Sequence, residues 1–369
     1  MRYNTFCLPC GFLIFRKPSA LWDAIKSQEE TALINIGIIG CGHWGPNHIR
    51  IFSSHPGAKV AMCSDLSDER LQAIKNLYPA VVLTKDYHEI LKNNDIGAIC
   101  IATPTSTHFA LTKEALEHGK HVLCEKPLAL KPEECLELGQ LAEKRKKALM
   151  VGHVFVFNPG IVALRDYIQK GELGAIYYAH ADRMNLGPFR YDVNALWDLA
   201  PHDISIFNYL FDHCPVEVSA QGKKYLGDSL EDVAFVTMEY PKNISVNIRV
   251  SWLDPRKVRQ ITIVGDKKMA SWDDLDGIGP IRLYDKHVER TATFYETYGE
   301  FQLLSKEGSI TIPKISLTEP LKLQDQYFID CIEKNKQPSV ADAQKALDVV
   351  KTLCAIQESI NSKGKAVKV

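Results

Sequence analysis

An apolar run followed by three glycines constrains this chain more than any other feature. Residues 34–45 have the sequence INIGIIGCGHWG, with Gly40, Gly42 and Gly45 at G-x-G-x-x-G spacing. The apolar part predicts a buried parallel strand. The glycines permit a tight turn, a close approach of the backbone to a pyrophosphate, and close packing of the next helix. Free N–H groups at the start of that helix suit a diphosphate. The segment, including His43 and Trp44, therefore predicts a dinucleotide-binding loop.

A carboxylate follows at the distance that a dinucleotide site requires. Residues 60–65 (VAMCSD) predict a second strand, and Asp65 at its end lies twenty residues after Gly45. An acid at this place accepts a hydrogen bond from a ribose 2′-OH and repels a 2′-phosphate. We therefore predict that the cofactor is NAD and not NADP. The alternative role for Asp65 is an N-cap of the next helix.

Strand and helix patterns alternate from residue 34 to about residue 150, as in the βαβ units of a doubly wound parallel sheet. The helix candidates are residues 68–77, 87–93, 109–118 and 132–147, and short strands are predicted at 98–103 and 121–125. Ligands of such sheets gather at the carboxyl ends of the strands. The segments TPTSTH and EKP follow these two strands, so we predict cofactor contacts from Thr103, Pro104, Thr105, His108, Glu125 and Lys126.

The hydrophobic period changes after about residue 152. Residues 244–251 alternate apolar and polar side chains, which predicts a strand with one buried face, and residues 175–183, 233–240 and 258–264 are similar. These strands predict an α+β domain with a large open mixed or antiparallel sheet. Helical spacing at 321–334 and 341–359 predicts two helices that pack back on the body. The predicted α/β chain has an extension at 1–33, an NAD-binding Rossmann domain at 34–152 and a second domain at 153–369.

Composition excludes several classes of protein. The formal net charge is −1 over 369 residues, so we expect no nucleic-acid partner. No apolar segment approaches the roughly 18 residues of a membrane span, so we expect no membrane partner. The ten cysteines have no ligand-like spacing, and Cys7 and Cys10 form a lone CxxC. We therefore predict no metal site and a reducing, cytoplasmic location.

Residues 1–32 precede the first predicted strand and show no regular periodicity. The apolar residues 6–15 faintly resemble a signal peptide, but Pro9 interrupts the run and no small-residue cleavage site follows. We interpret the segment as an accessory extension or the product of an upstream start. Deleting residues 1–30 is therefore expected to leave cooperative thermal unfolding and NAD affinity unchanged, as measured by calorimetry. Loss of either property would place the segment inside the fold.

Four motifs together resemble the Gfo/Idh/MocA family of sugar-type oxidoreductases. They are the glycine loop, TPTSTH at 103–108, EKP at 125–127 and DLAPH at 198–202. The glycine loop is generic, but EKP about eighty residues after it, followed by D-x-x-x-H, is specific. The resemblance covers residues 34–359. It implies a Rossmann domain and an open-sheet domain, with the substrate over the nicotinamide between them, in a homodimer or homotetramer.

Lys126 follows a predicted strand and precedes Pro127, which fixes the backbone, so its ammonium is expected to reach the crevice. The family resemblance implies that this lysine contacts the reacting hydroxyl. An ammonium at that place stabilises a developing alkoxide without accepting a proton itself. The alternative is a surface lysine.

Asp198 and His202 are four residues apart, on one face of a helix that is expected to begin near Asp198 with Pro201 in its first turn. We interpret His202 as the acceptor of the hydroxyl proton. Asp198 would orient this histidine or bind the sugar. The alternative is an N-cap and a structural histidine.

Three further residues are predicted to contact the substrate. Asn158, after a predicted strand at 153–157 (HVFVF), resembles the family's entry into the substrate domain. Arg183 and Asn185 end another predicted strand and could bind a carboxylate, phosphate or amide; an ion pair and a turn are the alternative. The pattern NLGP followed by NALWDLAPHD is most similar to the branch that acts on nucleotide-linked sugars. Notable substrates of that branch are UDP-N-acetylglucosamine and its uronic acid, at C3.

The leading interpretation is an NAD-dependent enzyme that oxidises a ring hydroxyl of a sugar or nucleotide sugar to a ketone. The alternatives are a free sugar or inositol dehydrogenase, a nucleotide-binding regulator without turnover, and a glycosidase that uses transient oxidation. The presence of Lys126, Asp198 and His202 argues against the regulator. NADH formation with a candidate sugar separates these classes, since neither the regulator nor the glycosidase forms net NADH.

Overall fold

Two sheets organise the part of the chain that the computed structural model describes, residues 33–227, 229–291 and 302–369. The first sheet, as described, contains β1 (Ile34–Ile39), β2 (Ala58–Ser64), β3 (Val82–Thr84), β4 (Ala98–Ile101), β5 (His121–Cys124) and β6 (Leu149–Val151). All its pairs are parallel, in the order β3-β2-β1-β4-β5-β6. The order reverses between β1 and β4, and doubly wound sheets bind their ligands at this switch point.

Helices lie on both faces of the first sheet. They are α1 (Gly45–Ser54), α2 (Asp68–Leu77), α3 (Tyr87–Lys92), α4 (His108–Glu117) and α5 (Pro132–Arg145). α1 has Pro46 in its first turn, where a missing N–H costs nothing, and it buries Ile49 and Phe52. α2 begins after Ser67, whose side chain accepts a hydrogen bond from the N–H of Arg70. Local capping and apolar faces thus determine how these two helices begin and pack.

The second sheet has one buried and one open face. Its described strands are β7 (Ile176–Leu186), β8 (Glu217–Lys223), β9 (Val233–Tyr240), β10 (Ile244–Ser251), β11 (Leu253–Gly265), β12 (Met269–Asp273), β13 (Ile281–Thr291), β14 (Gln302–Thr311) and β15 (Val367–Lys368). They follow the order β14-β13-β12-β11-β7-β10-β9-β8-β15, and only the β7–β10 pair among them is parallel. In β10 Val246 and Ile248 are buried, whereas Asn247 and Arg249 are exposed. The alternation of apolar and polar residues therefore determines which face of the sheet packs against the core.

The remaining helices connect the two sheets. They are α6 (Pro159–Gln169), α7 (Ala195–Phe211), α8 (Pro320–Glu333) and α9 (Ala343–Asn361). α6 and α7 pack on the buried face of the second sheet. α8 returns to the first sheet, where Phe328 and Ile329 join the core formed with Ile36 and Phe52. The N–H of Val151 in β6 also donates to the carbonyl of Ala341, at 2.8 Å, so the end of the chain completes the first domain.

The predicted fold class is confirmed. The helix at 68–77 and the strands at 233–240 and 244–251 have the predicted bounds, and most other predicted elements differ by a few residues at their ends. The prediction of a strand at 153–157 is wrong, because Val154–Phe157 forms a 3₁₀ turn. Phe155, Val156 and Phe157 in this turn are all buried. A short, fully apolar run has no periodicity that separates a strand from a buried turn.

The helix that carries Asp198 starts earlier than predicted. Asn194 caps α7 by accepting a hydrogen bond from the N–H of Trp197 at 3.0 Å, so the helix begins at Ala195. Pro201 therefore lies inside the helix and not in its first turn. Because proline has no N–H, the carbonyl of Trp197 loses the helical partner that another residue would supply.

The predicted extension at 1–33 lies outside the described residues except for Leu33, and the domain boundaries at 34–152 and 153–369 stay predictions. Within the described ranges, none of the helices combines the length and the apolar character needed to cross a membrane.

Candidate active site

The glycine loop joins β1 to α1 at the switch point of the first sheet. Gly40 has a φ of +97°, which glycine adopts readily and other residues do not. A Cβ at Gly45 would lie 2.0 Å from the carbonyl oxygen of Gly40, so α1 can start this close to the loop only with glycine there. His43 is exposed and Trp44 is half-buried beside Gly42. The loop therefore fits the diphosphate of a dinucleotide at the start of α1.

Asp65 directly follows β2 and contacts the glycine loop. Its Oδ2 accepts a hydrogen bond from the N–H of Cys41 at 2.7 Å, and its Oδ1 accepts from the N–H of Ser67 at 2.9 Å. Ser67, and not Asp65, is the N-cap of α2. The Nη1 of Arg70 lies 3.5 Å from Asp65 Oδ2. No arginine follows Asp65 directly in the sequence, but the first turn of α2 brings Arg70 back to it.

Asp65→Ser alone is expected to move the cofactor preference from NAD toward NADP. The substitution removes a carboxylate that repels a 2′-phosphate and releases the guanidinium of Arg70, which can bind one. Calorimetry with NAD and NADP measures both dissociation constants before a substrate is known. In Asp65→Ser/Arg70→Ala the gain for NADP should vanish. Equal affinities of the unaltered protein for the two cofactors would contradict the role of Asp65.

A buried histidine ties the two predicted crevice loops together. The ring nitrogens of His108 lie 2.8 Å from the carbonyl oxygen of Pro127 and 2.9 Å from that of Thr103. Burial lowers the pKa of His108, so its neutral ring has one N–H for the two carbonyls. Thr105 is also buried, whereas Thr103 and Pro104 are more accessible. Two of these predicted cofactor contacts, His108 and Thr105, are therefore buried beneath the loop that follows β4.

Lys126 lies two residues after the end of β5, and the peptide bond between it and Pro127 is cis. The Nζ of this buried lysine donates to the backbone carbonyl of Asp198 at 2.6 Å and lies 3.7 Å from Asp198 Oδ1. Burial lowers the pKa of Lys126, and the negative charges of Asp198 and Glu125 oppose that effect. The structure therefore joins the predicted lysine of the first domain to the predicted aspartate of α7.

The carboxylate of Asp198 has two further partners that sequence analysis missed. Trp252 Nε1 donates to its Oδ2 at 3.2 Å, and Arg190 Nη1 donates to its Oδ1 at 3.2 Å. Arg190 also forms an ion pair with Asp192 at 2.5 Å. The sequence offered one sign of the first partner, because Arg190 lies in the connection between β7 and α7, a few residues before Asp198. Trp252 gave no signal, because only the pairing of distant strands brings it here.

His202 lies one turn after Asp198 in α7 and is buried. Burial lowers its pKa well below the usual value, and the positive charges of Lys126, Arg183 and Arg259 lower it further. The ring is therefore neutral at neutral pH and can accept a proton. Its Nδ1 has no hydrogen-bond partner in the described parts of the chain.

A second buried imidazole, His153, lies close to the same ammonium. Burial lowers its pKa to about 4, with a further contribution from the charge of Lys126. Neither of its ring nitrogens has a hydrogen-bond partner among the described residues. His153 was not among the predicted site residues. Its position just after β6 was a signal, because the strand ends of this sheet face the crevice. His153 is therefore a further candidate for binding a ligand.

The structure places the three other predicted substrate residues in contacts within the protein. Arg183 donates from Nε and Nη2 to the two carboxylate oxygens of Asp203, each at 2.8 Å, and both residues are buried. Asn185 donates to the carbonyl of Gly187. The structure therefore shows the alternative arrangement for both residues: Arg183 forms an ion pair and Asn185 forms a turn.

Asn158 is occupied at both ends of its amide. Its Oδ1 caps α6 by accepting a hydrogen bond from the N–H of Gly160 at 2.8 Å, and its Nδ2 donates to Asp274 at 3.2 Å. Arg259 Nη1 donates to the other oxygen of Asp274 at 3.0 Å. The side chain of Arg259 is 33% exposed, compared with 3% for Arg183. Arg259 is therefore the more accessible cation near the site, and sequence analysis missed it.

Comparison with known proteins defines the class of this fold and site. Residues 34–153 match an oxidoreductase family with an NAD-binding Rossmann fold, and residues 161–271 match the GFO/IDH/MocA C-terminal domain. The matches fall on both sheets and together make up well over half of the chain. The protein belongs to the Gfo/Idh/MocA family of oxidoreductases, and its first domain is the NAD-binding Rossmann fold of that family, as the motifs predicted.

Three curated relatives illustrate the range of the family. The uncharacterized oxidoreductase YrbE of Bacillus subtilis is 29% identical over 220 residues, which are 57% of this chain and 64% of YrbE, less than two thirds of its length. Inositol 2-dehydrogenase 2 of Paenarthrobacter aurescens is 27% identical over 91% of this chain and 98% of its own. UDP-N-acetylglucosamine 3-dehydrogenase of Acidithiobacillus ferrooxidans is 29% identical over 65% of this chain and 74% of its own.

Solved structures show the same fold. GenD2 from gentamicin A biosynthesis, in complex with NAD, has a TM-score of 0.77 at 19% identity and covers 92% of this chain and 97% of its own. The scyllo-inositol dehydrogenase of Lactobacillus casei, with NAD(H) and scyllo-inositol, has a TM-score of 0.73 at 18% identity, covering 91% and 99%. At these identities the likeness establishes the two-domain architecture.

Proposed function

We propose that this enzyme transfers hydride between the carbon of a sugar ring hydroxyl and nicotinamide. The observation that carries this proposal is the buried ammonium of Lys126 at the carboxyl end of β5, 3.7 Å from Asp198 Oδ1. His202, one helical turn further, adds a neutral imidazole to the same site. A neutral base can accept the proton of an alcohol, and an ammonium can stabilise the alkoxide that develops during its oxidation.

Lys126 stabilises the negative charge that develops on the hydroxyl oxygen as the C–H bond breaks. Because the ammonium is buried, its interaction with an alkoxide is stronger than it would be in water. The carboxylate of Asp198 compensates this charge in the resting site, and Trp252 and Arg190 fix its orientation. Asp198 thereby also presents an acceptor to a neighbouring sugar hydroxyl.

His202 accepts the hydroxyl proton. Its low pKa keeps the ring neutral in the resting enzyme, and the cations around it favour rapid release of the proton to solvent. NAD, when bound by the glycine loop and Asp65, supplies the hydride acceptor. The overall change is one hydride and one proton removed from a secondary alcohol, which leaves a ketone.

We propose a nucleotide-linked sugar as the leading substrate class, with UDP-N-acetylglucosamine or its uronic acid oxidised at C3. The segment 185–203 and the similarity to UDP-N-acetylglucosamine 3-dehydrogenase support this choice. A free sugar or inositol is the second candidate, and the inositol 2-dehydrogenase matched over 91% of this chain favours it.

The experiment is an NADH absorbance assay with UDP-N-acetylglucosamine, its uronic acid, myo-inositol, scyllo-inositol and glucose. Lys126→Met is the control for background reduction of NAD. A rate with one substrate, absent in the variant, supports the proposal. NAD binding without turnover on the whole panel would favour the regulator, and released free sugar without net NADH would favour the glycosidase. Mass spectrometry of small molecules that copurify with the protein extends the panel.

We further propose that the chain forms a homodimer or homotetramer and works in the cytoplasm. The open face of the second sheet exposes Tyr178 by 45% and Phe235 by 50%, which is a surface suited to a second copy. All eight cysteines within the described ranges are free thiols, as a reducing compartment would keep them. Multi-angle light scattering of the purified protein measures the number of subunits.

A further inference from the structure

A histidine with no exposed surface lies between two carboxylates beneath the proposed active site. His48 Nδ1 is 2.9 Å from Asp325 Oδ2, and His48 Nε2 is 3.1 Å from Glu125 Oε1. The side chains of His48 and Asp325 are both 0% exposed. His48 belongs to α1, Glu125 to the end of β5 and Asp325 to α8. The contact therefore joins the cofactor helix, the EKP motif and a helix from the end of the chain.

The second carboxylate oxygen of Glu125 contacts the catalytic segment. Its Oε2 accepts a hydrogen bond from the backbone N–H of Lys126 at 3.2 Å. A Cβ at Gly152 would lie 3.0 Å from this carboxyl carbon, so the adjoining backbone packs directly on it. Both oxygens of Glu125 are thus engaged inside the protein. This predicted cofactor residue thus lies between His48 and Lys126.

We propose that His48 is a positioning residue, an imidazolium shared by Glu125 and Asp325 that keeps Glu125 ionised beside Lys126 and so keeps the lysine an ammonium. The proposal rests on the role of Lys126 in the proposed function. It assigns His48 no contact with substrate or cofactor.

The charges around His48 support a protonated ring. Burial alone lowers its pKa, but the attraction and hydrogen bond of Asp325 raise the pKa well above the usual value. Cys100 on β4 also faces the ring, and burial raises the pKa of this thiol to about 11, so it is uncharged at neutral pH. Burial raises the pKa of Glu125, but the contacts with His48 and Lys126 lower it by more. Burial raises the pKa of Asp325, and His48 opposes that rise.

The proposed effect depends on the balance of charges around Lys126. Burial and the cations Arg190 and Arg183 lower the pKa of the lysine, whereas Asp198 and Glu125 raise it. The neutral rings of His153 and His202 also lie nearby. Glu125 is therefore one of the two carboxylates that support the ammonium. Loss of its charge should let Lys126 deprotonate at a lower pH.

The test is the pH dependence of kcat in His48→Gln and Glu125→Gln. Glutamine keeps a polar side chain at either position but cannot carry the charge. We expect the alkaline limb of the kcat profile to move to lower pH by about one unit or more in Glu125→Gln, which loses a close opposite charge. In His48→Gln the limb should move in the same direction but by less, because Glu125 is only protonated more readily there. In His48→Gln, which lies outside the predicted cofactor contacts, activity on the acidic side of that limb and the NAD dissociation constant should change much less.

His55→Gln is the matched control. His55 is the other histidine at the contact of α1 with α8, where its Nε2 lies 2.5 Å from Gln326 Oε1, and it does not touch the EKP segment. This variant should leave the alkaline limb in place. An equal loss of kcat at every pH in His48→Gln, with no movement of the limb, would show that the histidine is only structural. If His48→Gln fails to fold, Glu125→Gln alone decides, since it leaves His48 in place.

A spectroscopic measurement tests the charge on His48 without turnover. In protein labelled with ¹⁵N-histidine, the signal that disappears in His48→Gln, or that shifts most in Glu125→Gln, belongs to this ring. We expect the chemical shifts of a doubly protonated imidazole at pH values well above its ordinary pKa of about 6.5. A neutral ring there would overturn the proposal. Hydride transfer that survives in Lys126→Met would instead refute the role of Lys126 in the proposed function, so the two failures are distinct.

Discussion

Lys126→Met is expected to reduce kcat by about 10²-fold or more while leaving the NAD dissociation constant nearly unchanged. Methionine keeps a long apolar stem at the end of β5 but removes the charge that stabilises an alkoxide. The hydrogen bond from Nζ to the carbonyl of Asp198 is lost as well, so that part of the effect comes from a looser contact with α7. Calorimetry with NAD and single-turnover formation of NADH separate binding from chemistry.

Lys120→Met is the matched control for this result. Lys120 is also a buried lysine, at the other end of β5, and its Nζ donates to the carbonyls of Asn93 and Ile96 at 2.6 and 2.8 Å. Its replacement should lower the melting temperature but leave kcat close to that of the unaltered enzyme. Full single-turnover hydride transfer in Lys126→Met would mean that EKP is structural here, and another residue would have to supply the electrophile.

His202→Asn is expected to lower kcat to a similar extent, and the loss should shrink at high pH because hydroxide can partly replace the missing base. The unaltered enzyme should show an acidic limb well below pH 6.5. The limb lies at low pH because folding lowers the pKa of His202. The ring therefore stays neutral, and able to accept a proton, as the pH falls past its ordinary pKa. That limb should be missing in His202→Asn.

His121→Asn is the corresponding control. Burial lowers the pKa of His121 as well, to about 4, and its Nδ1 accepts a hydrogen bond from the N–H of Ala148 at 3.0 Å, away from α7. This variant should retain the pH profile of the unaltered enzyme. A loss of kcat in His202→Asn that is the same at all pH values would contradict a role as proton acceptor.

The parts of the site that depend on local order in the sequence could be predicted. The glycine loop, Asp65 and Lys126 each follow directly on a strand of one parallel sheet, so the sheet alone places them at one edge. Asp198 and His202 share a helical face because of their spacing. Lys126 and Asp198, 72 residues apart, were grouped only by the family resemblance, and in the structure a hydrogen bond joins them.

The contacts that could not be predicted join distant segments of the chain. Arg183 on β7 binds the carboxylate of Asp203 on α7 through two hydrogen bonds. These bonds use the donors that a substrate anion would need. Arg259 comes close to the site because β11 pairs with β7. The contact of His48 with Asp325 spans 277 residues. The spacing of residues in a single sequence cannot predict such contacts, because they depend on how the two sheets and the helices α8 and α9 pack.

The return of α8 and α9 to the first sheet has a consequence for how the protein is made. Phe328, Ile329 and Ala341 belong to the same core as Ile36 and Phe52 of the first domain. A ribosome that has released only the first 152 residues has therefore produced a Rossmann sheet with part of its apolar surface uncovered. The nascent first domain is therefore expected to lack part of its core until α8 has been translated. Competence to bind NAD tightly should then appear late in synthesis, when the final helices emerge.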